Sequence, residues 1–169
     1  EDGKNYIKEA IDNGAVAIVC QEEVEKIDNI TYIVVEDARI ALAVMASAYY
    51  GNPARKLKII GVTGTKGKTT TAYMIRDIML AAGKKIGMIG TVCNTYGAVK
   101  EESNRTSPES LELHALLARM VDAGMEFVVM EVSSQGLMLN RTAGVTFDVG
   151  VFLNISIDHI SPWEHSSME

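Results

Sequence analysis

The sequence has few cysteines and no long apolar run. Its two cysteines, Cys20 and Cys93, lie far apart and fit neither a CxxC nor a zinc pattern. We therefore expect two free core thiols in a reducing compartment, since free cysteine is usually buried. No apolar run reaches the roughly 18 residues that a membrane helix needs. These absences argue against a disulfide scaffold and against membrane insertion, and we expect a cytoplasmic protein.

Basic residues are also in the minority. The chain has 16 Lys and Arg against 22 Asp and Glu, which gives a net charge of −6. Because a nucleic-acid surface normally shows a basic patch, we expect no nucleic-acid partner. Charged residues make up only 22% of the chain and hydrophobic residues 47%, which excludes the disordered class and allows a buried core.

Short apolar runs alternate with helical patterns along the chain. Strands are expected at 15–20, 30–35, 58–62, 85–92, 127–132 and 147–155, and helices at 4–12, 38–50, 69–82 and 107–124. Asp37 is the expected N-cap of the second helix. Ser107 is the expected N-cap of the last, with Pro108 at its first position. Apolar strands separated by helices predict an α/β fold with a mostly parallel sheet covered on both faces.

The stretch "GNPARKLK" at 51–58 is the best domain boundary, because Gly and Pro end the preceding helix there. We predict the end of a small α/β N-terminal domain over 1–52 and the start of a larger central domain over 53–169. The chain begins with Glu1 within a helical pattern and ends without a helix stop. We therefore expect a segment of a longer protein.

The stretch "IIGVTGTKGKTTT" at 59–71 joins a strand to a helix through a glycine-rich loop. This is the P-loop arrangement, in which backbone N–H groups and a helix N-terminus surround phosphates. Lys68 is expected to reach the β- and γ-phosphates, and the Thr69 hydroxyl to bind Mg²⁺. Val62 stands where the usual pattern has its first glycine. The predicted nucleotide contacts are Gly64, Thr65, Lys66, Gly67, Lys68, Thr69 and Thr70.

The glycine spacing of this loop resembles the ATP loop of the Mur ligase family, whose members build the peptidoglycan precursor. The likeness continues in family order through "NRTSPESLEL" at 104–113, "MEVSSQGLMLNR" at 130–141 and "FDVGVFLNISIDH" at 147–159. The start, "DGKNYIKEAIDNGAVAIV" at 2–19, is similar to the end of the family's N-terminal domain. Within the family, these motifs most resemble the UDP-N-acetylmuramyl-tripeptide synthetases.

The family resemblance implies roles for residues beyond the loop. Glu131 follows an apolar run, so it lies at the carboxyl end of a parallel strand, where ligands of such sheets bind. By resemblance, Glu131 and His159 help to hold Mg²⁺ beside ATP and take part in catalysis with Lys68. The residues that match contacts to the muramyl-peptide substrate are Thr106, Ser107, Ser133 and Arg141. Ser107 carries two expectations, since its side chain cannot both cap a helix and contact substrate.

The resemblance implies an ATP-dependent ligase that adds an amino acid to UDP-N-acetylmuramoyl-L-alanyl-D-glutamate through an acyl phosphate. Its partners would be that substrate and an amino acid, its cofactors ATP and Mg²⁺, and its full-length form a monomer. The domain that selects the amino acid, a modified lysine that supports the metals and the uridine-binding start have no counterpart in these residues.

The sequence departs from the family pattern at several positions, which leaves its muramyl substrate open. These are Lys66, Arg105, Gln135, Leu139 and 161–169. The alternatives are another Mur-type ligase, such as a folylpolyglutamate or cyanophycin synthetase, and a P-loop regulatory ATPase or binding module without ligase activity.

Overall fold

The computed structural model describes residues 3–156 of the protein. The strands are β1 (Ala17–Cys20), β2 (Thr31–Val34), β3 (Lys58–Thr63), β4 (Ile86–Ile89), β5 (Cys93–Tyr96), β6 (Val99–Glu102), β7 (Phe127–Glu131) and β8 (Val149–Phe152). The helices are α1 (Ile7–Asp12), α2 (Ala38–Tyr49), α3 (Lys68–Ala81), α4 (Ser110–Asp122) and α5 (Ser134–Met138). Short 3₁₀ turns occupy Gly3–Tyr6 and Pro53–Lys56.

The strands form two separate sheets. Strands β1 and β2 pair in parallel as a small two-stranded sheet. The other six lie in the order β6-β5-β4-β7-β3-β8. In this large sheet β4, β7, β3 and β8 are parallel, whereas β5 and β6 form an antiparallel hairpin at one edge. The expected mostly parallel α/β sheet is therefore confirmed.

The core lies on both faces of the large sheet because side chains alternate along its central strand. Val128 and Met130 of β7 pack on the side of α4, with Leu113, Leu117 and Met120. The intervening residue of β7, Val129, points the other way and joins Val62, Met88 and Ala72 on the side of α3. Helix α3 is only partly buried, since Met74 and Ile78 are 60% and 68% exposed.

Strand β8 lies at the opposite edge of the sheet from the hairpin. Asp148 fixes its start, because its Oδ2 accepts the Ile59 N–H at 2.8 Å and its Oδ1 pairs with Lys58 Nζ at 2.9 Å. Val149 and Phe152 of this strand remain half or more exposed.

Two expectations about element boundaries were wrong. The predicted strand over 85–92 ends at Ile89, and the chain then turns into the hairpin, which the sequence pattern did not reveal. Ser107 is not the N-cap of α4. That helix begins at Ser110, and its N-cap residue, Glu109, makes no side-chain capping bond. The Ser107 side chain is buried, and its hydroxyl accepts the Ser133 N–H instead of capping the helix. Of the two roles expected for Ser107, the helix cap is therefore wrong.

The N-cap expected at Asp37 is confirmed. Asp37 caps α2, since its Oδ1 accepts the N–H groups of Arg39 at 2.7 Å and Ile40 at 3.0 Å. Its second oxygen, Oδ2, accepts the Asn140 side-chain amide at 3.1 Å, so the same carboxylate reaches a loop 103 residues away. Cys20 and Cys93 are buried and free. Over residues 3–156, no helix combines the length and apolar character needed to cross a membrane.

His114 is a fully buried imidazole on α4. Its Nε2 lies 3.1 Å from the Ala143 carbonyl oxygen, so the neutral ring donates there, and its Nδ1 has no partner among the described residues. Burial lowers the pKa of His114 from the ordinary 6.5, although the Ala143 carbonyl acts in the opposite direction. The fold therefore holds the neutral form.

We expect the protein to lose stability as the pH falls below 6.5. A group whose pKa is lowered by folding contributes stability above its unfolded value and loses it as the pH falls through the folded value. The measurement is the thermal midpoint between pH 7.5 and 5.0, for the native protein and for His114→Gln, which keeps a donor for Ala143. The variant should show a shallower fall. Parallel curves would show that another group carries the pH dependence.

Candidate functional site

The glycine-rich loop lies at the carboxyl edge of the large sheet, between β3 and the first turn of α3. Gly64 and Gly67 have φ values of 144° and 88°, which L side chains rarely adopt. Lys68 folds back over the loop, and its Nζ donates to the carbonyl oxygens of Gly64 and Thr65 at 2.5 and 3.2 Å. The first N–H groups of α3 have no intrahelical acceptor and face this region. The loop therefore has the donors and the positive charge that phosphate requires.

Glu131 ends β7 beside this loop and is only 1% exposed. Its Oε1 accepts the Thr91 N–H at 2.9 Å. Its Oε2 accepts the hydroxyls of Thr69 at 2.8 Å and Thr91 at 3.0 Å. The strands place these groups together, because β3, β4 and β7 are parallel and end at the same edge.

The oxygen atoms around Glu131 are chemically suited to Mg²⁺. A carboxylate and a threonine hydroxyl are hard oxygen ligands, and Mg²⁺ commonly takes one or two carboxylates together with phosphate oxygens and waters. Thr69 and Glu131 would hold the ion here. Within residues 3–156, no group of three or more His, Cys, Asp or Glu side chains is arranged to bind a metal alone. His159, the third predicted ligand, lies outside the described residues.

A second cluster borders the other side of Glu131. Ser107 Oγ accepts the Ser133 N–H at 3.0 Å, lies 3.2 Å from Ser133 Oγ, and is 3.4 Å from the Glu131 carbonyl oxygen. Ser133 Oγ in turn accepts the Gly136 N–H and caps α5. A Cβ on Gly136 would lie 2.8 Å from Ser107 Oγ, so glycine permits this contact. The structure thus brings together both predicted serines.

Arg141 lies behind these serines, with its side chain 11% exposed. Its Nη2 pairs with Glu109 Oε1 at 3.0 Å, and its Nη1 is 3.5 Å from the Ser107 carbonyl oxygen. Arg105 also pairs with Glu109, so one carboxylate lies between two guanidinium groups. Arg141 Nε is buried without a partner among the described residues. Such a group suits an anionic ligand.

Three of the predicted site residues, Thr106, Thr70 and Lys66, are less closely involved in the site. Thr106 joins the site through its hydroxyl, 3.0 Å from that of Thr91. Thr70 lies on the exposed side of α3. Lys66 keeps an exposed side chain, while its N–H is bonded to Asn154 rather than open to the loop interior.

Sequence reasoning missed Thr91 and Glu109 as site residues. Thr91 follows a parallel strand just as Glu131 does, so the rule that found one could have found the other. Glu109 follows Ser107 and Pro108 in the sequence without any site motif of its own, and its pairing with Arg141 depends on tertiary structure.

A glycine-rich phosphate loop at the carboxyl edge of a parallel sheet defines the class of nucleotide-binding α/β domains. Residues 62–169 match the Mur ligase middle domain, and the chain therefore belongs to the Mur ligase family. The family resemblance drawn from the motifs is thus confirmed.

Named relatives agree with this family. The chain is 51% identical over 159 residues to UDP-N-acetylmuramoyl-L-alanyl-D-glutamate–2,6-diaminopimelate ligase of Clostridium perfringens, covering 94% of the chain and 33% of the relative. A solved structure of a ligase with that name matches with a TM-score of 0.78 at 27% identity, over 94% of this chain and 32% of its own. MurF ligase from Thermotoga maritima in complex with ADP matches at 0.55 and 26% identity, over 95% and 34%. The chain spans about a third of the length of the curated relatives it matches.

Gly90→Ala should destabilise the protein by displacing Glu131. A Cβ at this position would lie 2.4 Å from Glu131 Oε1. Moving that oxygen breaks its bond with the Thr91 N–H in a buried setting, which typically costs about 1–3 kcal/mol. The measurement is the urea unfolding midpoint. Gly150→Ala is the control, since a Cβ there meets nothing within 4 Å. Equal midpoints for the two variants would contradict the close approach.

Proposed function

We propose that this chain carries the nucleotide-binding centre of an ATP-dependent ligase that acts on UDP-N-acetylmuramoyl-L-alanyl-D-glutamate in peptidoglycan precursor synthesis. Residues 1–52 would be the end of its N-terminal domain and 53–169 the start of its central domain. The family membership and the names of the relatives support this proposal. The named structural neighbour with bound ADP supports a nucleotide at the glycine-rich loop.

One observation carries the proposal: Glu131 is shared by two clusters of different chemistry. Its side chain bonds to Thr69 of the phosphate loop. Its backbone carbonyl lies beside Ser107 of the second cluster, here called the serine–arginine cluster (Ser107, Ser133 and Arg141). A phosphate donor and an acidic acceptor bound in these clusters would meet at this carboxylate. Holding two reactants together in this way is worth about 7–11 kcal/mol of a reaction barrier.

The nucleotide side would act mainly through charge and position. In the proposed reaction, a substrate carboxylate oxygen attacks the γ-phosphorus of ATP, and the bond to the β-phosphate oxygen breaks to release ADP. Lys68 and the N–H groups at the start of α3 would offset the charge that develops on the transferred group. Mg²⁺, held by Thr69 and Glu131, would supply further positive charge. No described side chain is required as a nucleophile.

The second step would form the amide. The amine nitrogen of the amino acid attacks the acyl carbon of the acyl phosphate formed in the first step. The carbon–oxygen bond to phosphate breaks, and phosphate leaves with the electron pair while the amine loses a proton.

The relatives' names make 2,6-diaminopimelate the first amino acid to test. Buried free cysteines at 20 and 93 are compatible with a cytoplasmic enzyme, so we extend the proposal to that compartment.

The substrate side would use the second cluster. Arg141 has the planar, forked donors that bind carboxylates and phosphates in pairs. Its ion pair with Glu109 supports a role in binding a carboxylate. Thr106 and Ser133 would supply hydroxyl contacts to the same muramyl peptide. Ser107 is only 1% exposed and its hydroxyl is bonded to Ser133, so it would act by orienting Ser133.

Phosphate release by the full-length protein tests the ligase directly. We expect release from ATP only when both the UDP-muramyl dipeptide and 2,6-diaminopimelate are present, together with an amide product in equal amount. A regulatory ATPase would release phosphate without either addition. A folate-type ligase would require a different acid, so replacing the muramyl dipeptide with a folate and glutamate completes the test.

Lys68→Ala in the full-length protein should abolish ligation without unfolding it. Lys68 lies over the phosphate loop and outside both core clusters, so its loss removes charge from the transferring group and little packing. Such a loss typically lowers the rate on the order of a thousandfold. Lys84→Ala, which removes an exposed lysine beyond the end of α3, is the matched control. Near-native turnover in Lys68→Ala would refute the assignment of this loop.

A further inference from the structure

Asn154 bonds to the phosphate loop from outside, at Thr65 and Lys66. This residue follows β8 and lies 88 positions along the chain from Lys66. Its side-chain Oδ1 accepts the Lys66 N–H at 3.0 Å, and its Nδ2 donates to the Lys66 carbonyl at 3.0 Å. Its own backbone carbonyl accepts the Thr65 N–H at 3.0 Å. One asparagine thus satisfies three backbone groups of the loop.

The contact requires the close approach of two chain segments. Strands β3 and β8 pair in parallel up to Thr63 and Phe152, and the Leu153 N–H continues the ladder to the Thr63 carbonyl. A Cβ on Gly64 would lie 3.1 Å from the Asn154 backbone N and O. Beyond this point, the Ser156 N–H donates to Thr65 Oγ1 at 3.0 Å. The segment after β8 therefore follows the outer side of the loop.

Core packing does not explain an asparagine here, because Asn154 is exposed and lies outside both core clusters. Its side-chain amide instead mimics a peptide group, because its Nδ2 donates to the Lys66 carbonyl and its Oδ1 accepts the Lys66 N–H. This fixes the direction of that peptide. The N–H groups of the loop's end and of the first turn of α3 then remain available for phosphate.

We propose that Asn154 is a positioning residue that sets the shape of the phosphate loop before nucleotide binds. The inference rests on the proposed function, in that the loop must bind nucleotide. A loop held in its binding conformation loses less conformational freedom when the ligand arrives, and its affinity is correspondingly higher. Asn154 acts on the nucleotide through Lys66 and Thr65 and need not touch it.

The test uses Asn154→Ala in the full-length protein, with Asn13→Ala as the matched control. Asn13 is an exposed asparagine that follows α1, far from the loop in sequence, and its side chain makes no described hydrogen bond. The first measurement is the dissociation constant of ADP with Mg²⁺. We expect it to rise about tenfold in Asn154→Ala, as the loss of two modest hydrogen bonds implies, and to stay unchanged in Asn13→Ala.

Two further measurements separate positioning from simple destabilisation. In the absence of nucleotide, hydrogen exchange at the Lys66 amide should be protected in the native protein and fast in Asn154→Ala. The Leu153 amide should stay protected in both, since its acceptor is Thr63. The KM for the muramyl dipeptide and the thermal midpoint should be nearly the same as in the native protein.

Three results would overturn the proposal. Unchanged ADP affinity in Asn154→Ala, with native binding intact, would remove the positioning role and leave the nucleotide site standing. A lower thermal midpoint with equal losses for ADP and the muramyl dipeptide would show a general structural role. Failure of the native protein to bind ADP would remove the proposed function itself, and the role of Asn154 with it.

Discussion

The described structure depends on satisfying one buried carboxylate. Glu131 is almost wholly removed from water, and an unpaired buried charge would cost several kcal/mol. Three donors from two elements meet it: the Thr69 hydroxyl at the start of α3, and the N–H and hydroxyl of Thr91 after β4. The chain must therefore leave β4 at Gly90, and α3 must begin close to the end of β7. The same requirement that keeps the carboxylate buried also fixes the distance between the phosphate loop and the serine–arginine cluster.

Much of this arrangement could be predicted from sequence because it follows from local rules. Apolar runs of strand length, separated by helical patterns, indicated a parallel sheet, and such a sheet collects the ends of its strands at one edge. Glu131 was placed at that edge by this reasoning, and Lys68 by the glycine-rich loop that joins a strand to a helix. Asp37 was recognised as an N-cap because its short side chain precedes an apolar helix, and the capping bonds are formed.

The remainder depends on contacts between distant segments, which local patterns do not encode. The hairpin of β5 and β6 was missed because Val99–Glu102 is polar and lies exposed at a sheet edge. Ser107 precedes a proline and an acidic residue, as a helix cap would. Its hydroxyl instead accepts the Ser133 N–H, and α4 begins three residues later. Asn154 lacked any local signal, since its partner is Lys66, far earlier in the chain.

The carboxylate of Asp37 joins two segments that lie far apart along the chain. One of its oxygens holds the first turn of α2, and the other holds Asn140, the residue before Arg141. Backbone N–H groups, that of Ile40 above all, keep the pKa of Asp37 below its ordinary value, so both contacts persist into mildly acidic solution. A shift of α2 would therefore pull on the chain beside the Arg141 guanidinium. The position of this helix and that of the guanidinium are linked through a single side chain.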